Sequence, residues 1–429
     1  MQKVSGMDEY FELLRQYNLW SEKKLDLGYL RNDYADRIGH YVGNRLVKVL
    51  TGQRRSGKSF ILRQLAHRLV SEGVDRKNIF MVNLDLIAFD FITDYRVLEQ
   101  LFRKYLEQMK PQGRVFLLMD EIQKVEGWER FVNSYSQDYM HDYELFITGS
   151  NSKMLSGELA TLLSGRYVEF LVFPFSYEEF AEANQLPVGR DSYVKYMQTG
   201  GMPELLHLQG EELRRNYIQS LKDTVMLRDI VQRYKIKDPS LLDELFVYLV
   251  NNTSTLFSVN SLLKFYKSKG RMVSYEKMAL YIDYLCEAYL LHKAERYDIR
   301  GKDTIGGACK YYANDLAFRS YLFRGVGHGV GYELENLVYL QLLRSGYSVY
   351  VGDIKGREVD FIASRSDRKV YLQSTYLLID EATIEREYAS LQDIGDNYEK
   401  MVVSLDDLTM PSRNGIRHVR AWELQDIIQ

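Results

Sequence analysis

The run Gly52-Gln53-Arg54-Arg55-Ser56-Gly57-Lys58-Ser59 constrains this chain more than any other stretch, because it matches G-x-x-x-x-G-K-S. An apolar segment, Leu46–Leu50, leads in and a helical pattern, Phe60–Val70, leads out, which is the strand, loop and helix setting such a loop needs. Glycines let the backbone wrap so that successive N–H groups point at phosphate oxygens, at the positive end of the following helix. The expected nucleotide-binding residues are therefore Gly52, Gln53, Arg54, Arg55, Ser56, Gly57, Lys58, Ser59 and Phe60. Lys58 is expected on the β- and γ-phosphates of ATP and Ser59 on Mg²⁺. Arg54 and Arg55 suit phosphate and another domain equally.

A second motif agrees with the first. Val115–Met119 is an apolar run that passes straight into Asp120-Glu121. A buried strand ending in a carboxylate delivers that charge to the crevice at the carboxyl edge of a parallel sheet. Asp120 is expected to hold Mg²⁺ through water, and Glu121 to act as base toward an attacking water. A further strand, Glu144–Thr148, ends in Gly149-Ser150-Asn151, where Ser150 or Asn151 could sense the γ-phosphate. Arg166 precedes the strand Tyr167–Val172 and could neutralise phosphoryl charge in its own subunit or in a neighbour. A solvated turn for Ser150 and Asn151, or a surface ion pair for Arg166, fits these residues as well.

The alternation of short apolar runs with helical segments from Leu46 to Val172 predicts a parallel sheet covered on both faces. With 429 residues the chain exceeds one core, so two to four domains are expected. A net charge of −3 gives no overall attraction to nucleic acid, which leaves only local basic patches. Two cysteines cannot build a disulfide framework or a four-thiolate zinc site, and the first residues lack a signal peptide's basic start and apolar run. No stretch is long and apolar enough for a membrane span. A cytoplasmic protein is expected.

Beyond Pro174-Phe175-Ser176 the text reads as helices to Tyr234, interrupted at Gly200-Gly201-Met202-Pro203. Helices are then expected at Leu241–Val250, Ser258–Lys267 and Ser274–Leu291, followed by a hairpin, Leu291–Ile299 and Ala308–Tyr312, around Arg300-Gly301-Lys302. Three helices and a hairpin outline a winged helix. Between Ser258 and Lys310 stand ten Lys/Arg (Lys264, Lys267, Lys269, Arg271, Lys277, Lys293, Arg296, Arg300, Lys302, Lys310) against six Asp/Glu, and such a surface could meet DNA phosphates. Lys264, Lys267 and Arg271 are spaced to share a helical face, with Arg300 and Lys302 at the wing tip. His292 and His328 read as ordinary side chains, and Tyr281, Tyr284 and Tyr289 as packing. A last unit opens with a helix, Tyr332–Ser345, and strands Ser348–Val351, Glu358–Ala363 and Lys369–Tyr376.

With these motifs in view the chain resembles predicted prokaryotic ATPases of the AAA+ class that carry a C-terminal DUF4143 region. The resemblance rests on Leu50–Ser59, Leu118–Gln123, Ile147–Ser152, Ser164–Tyr167, Gly200–Glu204, Tyr332–Asn336 and Glu358–Phe361. It implies an N-terminal helical segment (1–30), an α/β P-loop NTPase core of AAA+ type (31–175), a helical lid (176–237), a winged-helix-like domain (238–312) and a small PD-(D/E)XK nuclease-like domain (313–429). The nuclease pattern maps onto Glu335, Asp360 and Gln373-Ser374-Thr375, where Gln373 lacks the charge and Thr375 the cation that metal-dependent cleavage needs. A catalytically degenerate domain is expected. The resulting expectation is an ATPase that switches or remodels a partner. The alternatives are an ATP-gated regulator of double-stranded DNA and, last, a nuclease; a protein partner and oligomerisation are both compatible with the text.

Overall fold

A computed structural model of the chain describes residues 2–20, 24–152, 163, 165–323, 329–366 and 368–429. His328 and Ser164, singled out above, lie outside the described residues. The chain divides into two compact units, Met1–Val172 and Phe173–Gln429.

Unit 1 is built on strands β1 (Val47–Thr51), β2 (Ile79–Asn83), β3 (Val115–Asp120), β4 (Tyr143–Thr148) and β5 (Tyr167–Leu171), all parallel in the order β2-β3-β4-β1-β5. Alternation along β3 sends Val115, Leu117 and Met119 into one apolar layer and Phe116 and Leu118 into the other. The first layer is closed by helices α4 (Tyr95–Met109) and α5 (Trp128–Ser136), the second by α2 (Asn32–Gly39) and α3 (Lys58–Ser71). Because both faces are covered, β1 and β3 are buried along their whole length and β3 is apolar up to Asp120. The stretch 1–30 is not a separate segment. Helix α1 (Gln2–Gln16) buries Phe11 and Leu14 in the first layer, and the Trp20 indole donates to the Ile79 carbonyl at 2.8 Å.

The order of strands has one consequence for function. The chain leaves β1 toward β2 and returns through β3 and β4, while β5 lies on the other side, so the crevice at the carboxyl ends opens beside β1. The opposite edge holds an ion pair taken out of water. Lys48 Nζ lies 2.6 Å from Glu144 Oε1, both side chains being inaccessible, and Glu144 also accepts from the Gly43 N–H and from Arg114. Burial pushes the Lys48 ammonium pKa down, and Glu144 holds it up.

Unit 2 begins with helices Tyr177–Ala183, Arg190–Thr199 and Glu211–Thr224, the last continuing into a π-helical stretch, Val225–Gln232, that no sequence signal announced. The interruption at Gly200-Gly201 is steric. A Cβ on Gly200 would lie 2.2 Å from Asp315 Oδ1, and one on Gly201 2.3 Å from the Phe175 carbonyl, while the Gly201 N–H donates to Asp315 at 2.8 Å. Helices Pro239–Asn251, Val259–Ser268 and Tyr275–Glu287 follow, the last two N-capped by Ser258 and Ser274.

The remaining strands are β6 (Leu256–Phe257), β7 (Leu291–Asp298), β8 (Asp303–Ala313), β9 (Ser348–Ile354), β10 (Arg357–Arg365), β11 (Arg368–Ser374), β12 (Glu399–Ser404) and β13 (Ile416–Arg420). They form a single sheet in the order β13-β12-β11-β10-β9-β7-β8-β6. The division expected at 312 therefore falls inside a continuous structure. Backbone pairing of Arg296–Asp298 with Val351–Asp353 joins the hairpin to the C-terminal strands. No helix among the described residues is long and apolar enough to cross a membrane. Cys286 and Cys309 are free thiols.

Removing one partner of a buried ion pair strands the other, at a cost of about 3–5 kcal/mol. Glu144→Ala should accordingly lower the urea midpoint of the transition that unfolds unit 1, with a smaller loss in the Lys48→Met/Glu144→Leu double variant; equal losses would show that the pair is not the cause.

Candidate active site

The phosphate loop leaves β1 at Thr51. Gly52 has φ +139°, and a Cβ there would lie 2.2 Å from the Val172 carbonyl, so no other residue lets β1 turn this close to the end of β5. Arg55 and Gly57 also take left-handed conformations, with φ of 69° and 104°, after which α3 starts at Lys58. The Lys58 ammonium is folded back on the loop and donates to the carbonyls of Gly52 (2.9 Å) and Gln53 (3.0 Å). A residue that sequence reading passed over braces the loop from behind. Arg31, buried, donates to the Ser56 carbonyl at 2.9 Å and stacks on Tyr34. Nothing in a single sequence separates Arg31 from the other arginines, since its role depends on a contact 25 residues away.

Ser59 and Asp120, expected to share a metal ion, are neighbours, Ser59 lying close enough to the Asp120 carboxylate to favour its charged form. Thr148, the last residue of β4, also serves Asp120, its hydroxyl donating to Oδ1 at 2.6 Å and accepting the Glu121 N–H at 2.9 Å. Nothing in the sequence marks Thr148, which closes a buried strand and meets its partners 27 and 28 residues away. Burial first, and then the neighbouring Glu121, push the Asp120 carboxyl pKa above its ordinary range, against the hydrogen bonds of Ser59 and Thr148 and the charge of Lys58. Glu121 turns the chain through a left-handed conformation (φ 56°, ψ 45°), and its Oε2 accepts from Gln123 Nε2 at 2.5 Å.

Ser150 and Asn151 are buried at the same edge, where the Gly149 N–H donates to the Leu50 carbonyl at 3.0 Å. Among the described residues of unit 1, the buried side-chain atoms with no hydrogen-bond partner are Ser56 Oγ, Gln123 Oε1 and Ser150 Oγ. All three belong to the segments that follow β1, β3 and β4 at the carboxyl edge. Buried polar atoms are satisfied nearly everywhere else in proteins, so three together mark where a polar ligand fits. The residues present thus suit a magnesium nucleotide: a cationic loop, a hydroxyl beside a carboxylate, and orphaned acceptors and donors around them.

Four expected members stand elsewhere. Arg166 is exposed and immediately precedes Tyr167, which pairs with Val47 at the start of β1, so it lies at the edge opposite the loop. Five strand residues at roughly 3.3 Å each put it out of reach of a phosphate in its own loop. Phe60 gives its N–H to the Gly57 carbonyl at 3.0 Å and its ring to Gly28 and Arg63, so it supports the loop from outside rather than lining it. Arg54 approaches Asp85 at 3.8 Å, and Arg55 is exposed.

In unit 2 the nuclease-like positions do converge, around a cation that sequence reading placed on the surface. Lys310, buried on β8, lies 2.8 Å from Glu335 and 2.6 Å from Glu358, and Tyr312 donates to Glu335 at 2.8 Å. Asp360 accepts from the Ser374 N–H at 2.7 Å, and a cavity of about 550 Å³ opens on these groups. Burial and the neighbouring Asp360 raise the Glu335 carboxyl to about 8, against Lys310; burial raises Asp360 to about 6. Among the described residues no group of three or more His, Cys, Asp or Glu is arranged to hold a metal ion. Lys310 stands among the acids as the compensating positive charge.

The basic surface expected on the hairpin region shrinks correspondingly. Arg271 pairs with Glu244 and Asp238, Lys277 with Asp238, and Arg296 with Asp353, at 2.7 to 3.1 Å. Arg271 lies beyond the end of Val259–Ser268 and shares no helical face with Lys264 and Lys267. His292 is an ordinary packed side chain, bonded to Asn314 at 2.8 Å, and burial lowers its pKa to about 4.

Comparison with known proteins agrees with the geometry. A family profile described as an AAA domain matches residues 44–181, and one described as a domain of unknown function, DUF8612, matches residues 190–327. The second is not the DUF4143 region that the resemblance implied. An uncharacterized protein of Haemophilus influenzae is 34% identical over 401 residues, spanning 92% of this chain and 98% of its own. One from Methanocaldococcus jannaschii is 28% identical over 377 residues, 84% of this chain and 79% of its own. Among solved structures, a Walker-type ATPase of Pyrococcus abyssi aligns with a TM-score of 0.45 at 15% identity over 68% of this chain and 95% of its own. The Thermotoga maritima RuvB Holliday junction branch migration motor aligns with a TM-score of 0.32 at 14% identity over 65% and 93%. Both are too remote to bear on function.

The Lys310 cluster generates a test with a defined sign. Lys310→Met should destabilise unit 2 by about 3–5 kcal/mol, and adding Glu335→Gln should restore part of the loss. Because the folded state keeps the Glu335 proton up to about pH 8 against an ordinary 4.5, its contribution to stability falls as pH rises between those values. Thermal melts of wild type and Glu335→Gln across that window should show the decline flattened in the variant.

Proposed function

The chain belongs to a prokaryotic family of AAA+ ATPase-domain proteins that includes the Haemophilus influenzae relative, and on that footing we propose that it binds ATP with Mg²⁺ at Gly52–Ser59 and hydrolyses it to switch or remodel a bound partner. The observation that carries this reading is the meeting of Ser59, Asp120, Thr148 and Glu121 beside a loop closed by Lys58. Lys58 exchanges its two loop carbonyls for phosphate oxygens, and the loop N–H groups hold the rest of the phosphate chain. Ser59 and Asp120 are the residues that would hold Mg²⁺, which when bound supplies positive charge to the phosphates. Glu121 accepts a proton from the attacking water, and Ser150 and Asn151, buried at the same edge, would meet the γ-phosphate. Arg166 would act on phosphate only in a neighbouring copy.

Val172, whose carbonyl closes on Gly52, is the last residue before unit 2, so movement of the loop has a covalent route to the second unit. The partner is better read as protein than as DNA. The exposed side of helix Tyr275–Glu287 presents Tyr275, Glu276, Leu280 and Asp283, a mixed apolar and acidic surface that phosphates would repel. Duplex DNA remains the second reading through Lys264, Lys267, Lys269, Arg300 and Lys302, which stay exposed. A cytoplasmic location supplies the nucleotide.

Steady-state phosphate release should be abolished in Lys58→Ala together with nucleotide affinity. Glu121→Gln should retain nucleotide but lose turnover on the order of 10²- to 10⁴-fold. Addition of duplex DNA should leave the rate unchanged; stimulation that disappears in Arg300→Ala/Lys302→Ala would reverse the choice of partner.

A further inference from the structure

Glu121 does not stand alone at the end of β3. Residues Ile122–Lys124 form a 3₁₀ turn anchored by the fully buried Ile122, and the left-handed conformation of Glu121 begins that turn. The Lys124 N–H closes it on the Glu121 carbonyl at 3.2 Å, and the side chains of Glu121 and Gln123 thereby meet. The amide orientation of Gln123 is set by chemistry: a carboxylate oxygen 2.5 Å away can only be met by the NH₂ end. Its carbonyl end is then committed to whatever lies on the other side. That atom, Oε1, is buried and has no partner among the described residues, and it shares this property in unit 1 only with Ser56 Oγ and Ser150 Oγ of the phosphate crevice.

We propose that Gln123 is a further catalytic residue of this site, its Nε2 fixing the Glu121 carboxylate while its Oε1 accepts one hydrogen of the water that attacks the γ-phosphate. The inference rests on the ATPase reading above. An amide suits the position because it offers a donor and an acceptor on one planar group. A glutamate here would repel Glu121, and a lysine would have nothing to offer a water hydrogen. Two acceptors, Glu121 and Gln123, then hold both hydrogens of the water and leave an oxygen lone pair for phosphorus. In the reaction the bond from the water oxygen to the γ-phosphorus forms, and the bond from that phosphorus to the β–γ bridging oxygen breaks. One proton passes to Glu121, the other stays on the new phosphate, and ADP departs with the electron pair.

The test compares full-length wild type with Gln123→Ala and with the near-isosteric Gln123→Glu, which preserves the shape of the turn. Phosphate release is measured alongside the Kd for a non-hydrolysable ATP analogue, the Kd for ADP with aluminium fluoride, and Tm. For Gln123→Ala, kcat is expected to fall on the order of 100-fold, with KM and the Kd for the ATP analogue within about twofold of wild type. The complex with ADP and aluminium fluoride, in which the attacking water is already in line, should weaken by a comparable factor. Gln123→Glu should also lose turnover while its Tm and analogue affinity stay near wild type. An unchanged kcat overturns the proposal, as does a raised kcat, which would make the Gln123 contact a brake on Glu121. A loss of rate matched by lost analogue affinity or a fallen Tm in both variants likewise overturns it. Wild type that releases no phosphate overturns the ATPase reading itself, whereas active wild type with active Gln123 variants overturns only the role of Gln123.

Discussion

The hydroxyl of Thr148 is the contact on which the nucleotide site depends. By donating to Asp120 and accepting from the Glu121 N–H it ties the end of β4 to the end of β3, and so fixes the Asp120 carboxylate and the Glu121 backbone beside the loop that leaves β1. Parallel pairing puts all three strand ends at one edge, and the turn at Gly52, pressed against Val172, brings the loop to them. Two adjacent acids held out of water repel each other. Burial first, and that repulsion second, raise the pKa of Asp120, and a bound cation would offset both. The crevice is built to be completed by charge.

Unit 2 solves a similar problem differently. Glu335, Glu358 and Asp360 converge from a helix and a strand, as they would in a metal-dependent nuclease, yet Lys310 from a strand on the other side of β9 and β7 supplies the compensating charge. An ammonium bonded to Glu335 and Glu358 and itself screened from solvent is a permanent structural cation. The same sheet that carries it runs without a break from the hairpin to the C-terminus, so the region expected as two modules is mechanically one.

The parts of the structure that could be read directly were those whose reasons are local. The glycines of the phosphate loop, the buried strand running into Asp120-Glu121, the serine caps at Ser258 and Ser274 and the alternating faces of β3 are each written in consecutive residues. What escaped were contacts between residues distant in the chain. Arg31 meets Ser56, Thr148 meets Asp120, and Lys310 meets Glu335 and Glu358. The basic count across Ser258–Lys310 misled for the same reason, since a lysine has the same letter whether it is solvated or paired with buried acids. Strands β12 and β13 and the helix Glu381–Gln392 were not recognised because their short, mixed sequences acquire apolar partners only in the assembled sheet.

Sequence alone determined the class of chemistry: a loop of glycines with a lysine and a serine, and a strand ending in acids, have few uses besides holding a phosphorylated ligand and its metal. It also determined the parallel sheet, because period and burial follow from residue order. Only the tertiary structure decided which candidates share the site. It joined Thr148 and Gln123 to it, set Arg166 at the far edge and turned Lys310 inward. The physical reason is that strand order and side-chain burial are properties of the packed chain, and electrostatic partnership is fixed by distance in space rather than distance in sequence.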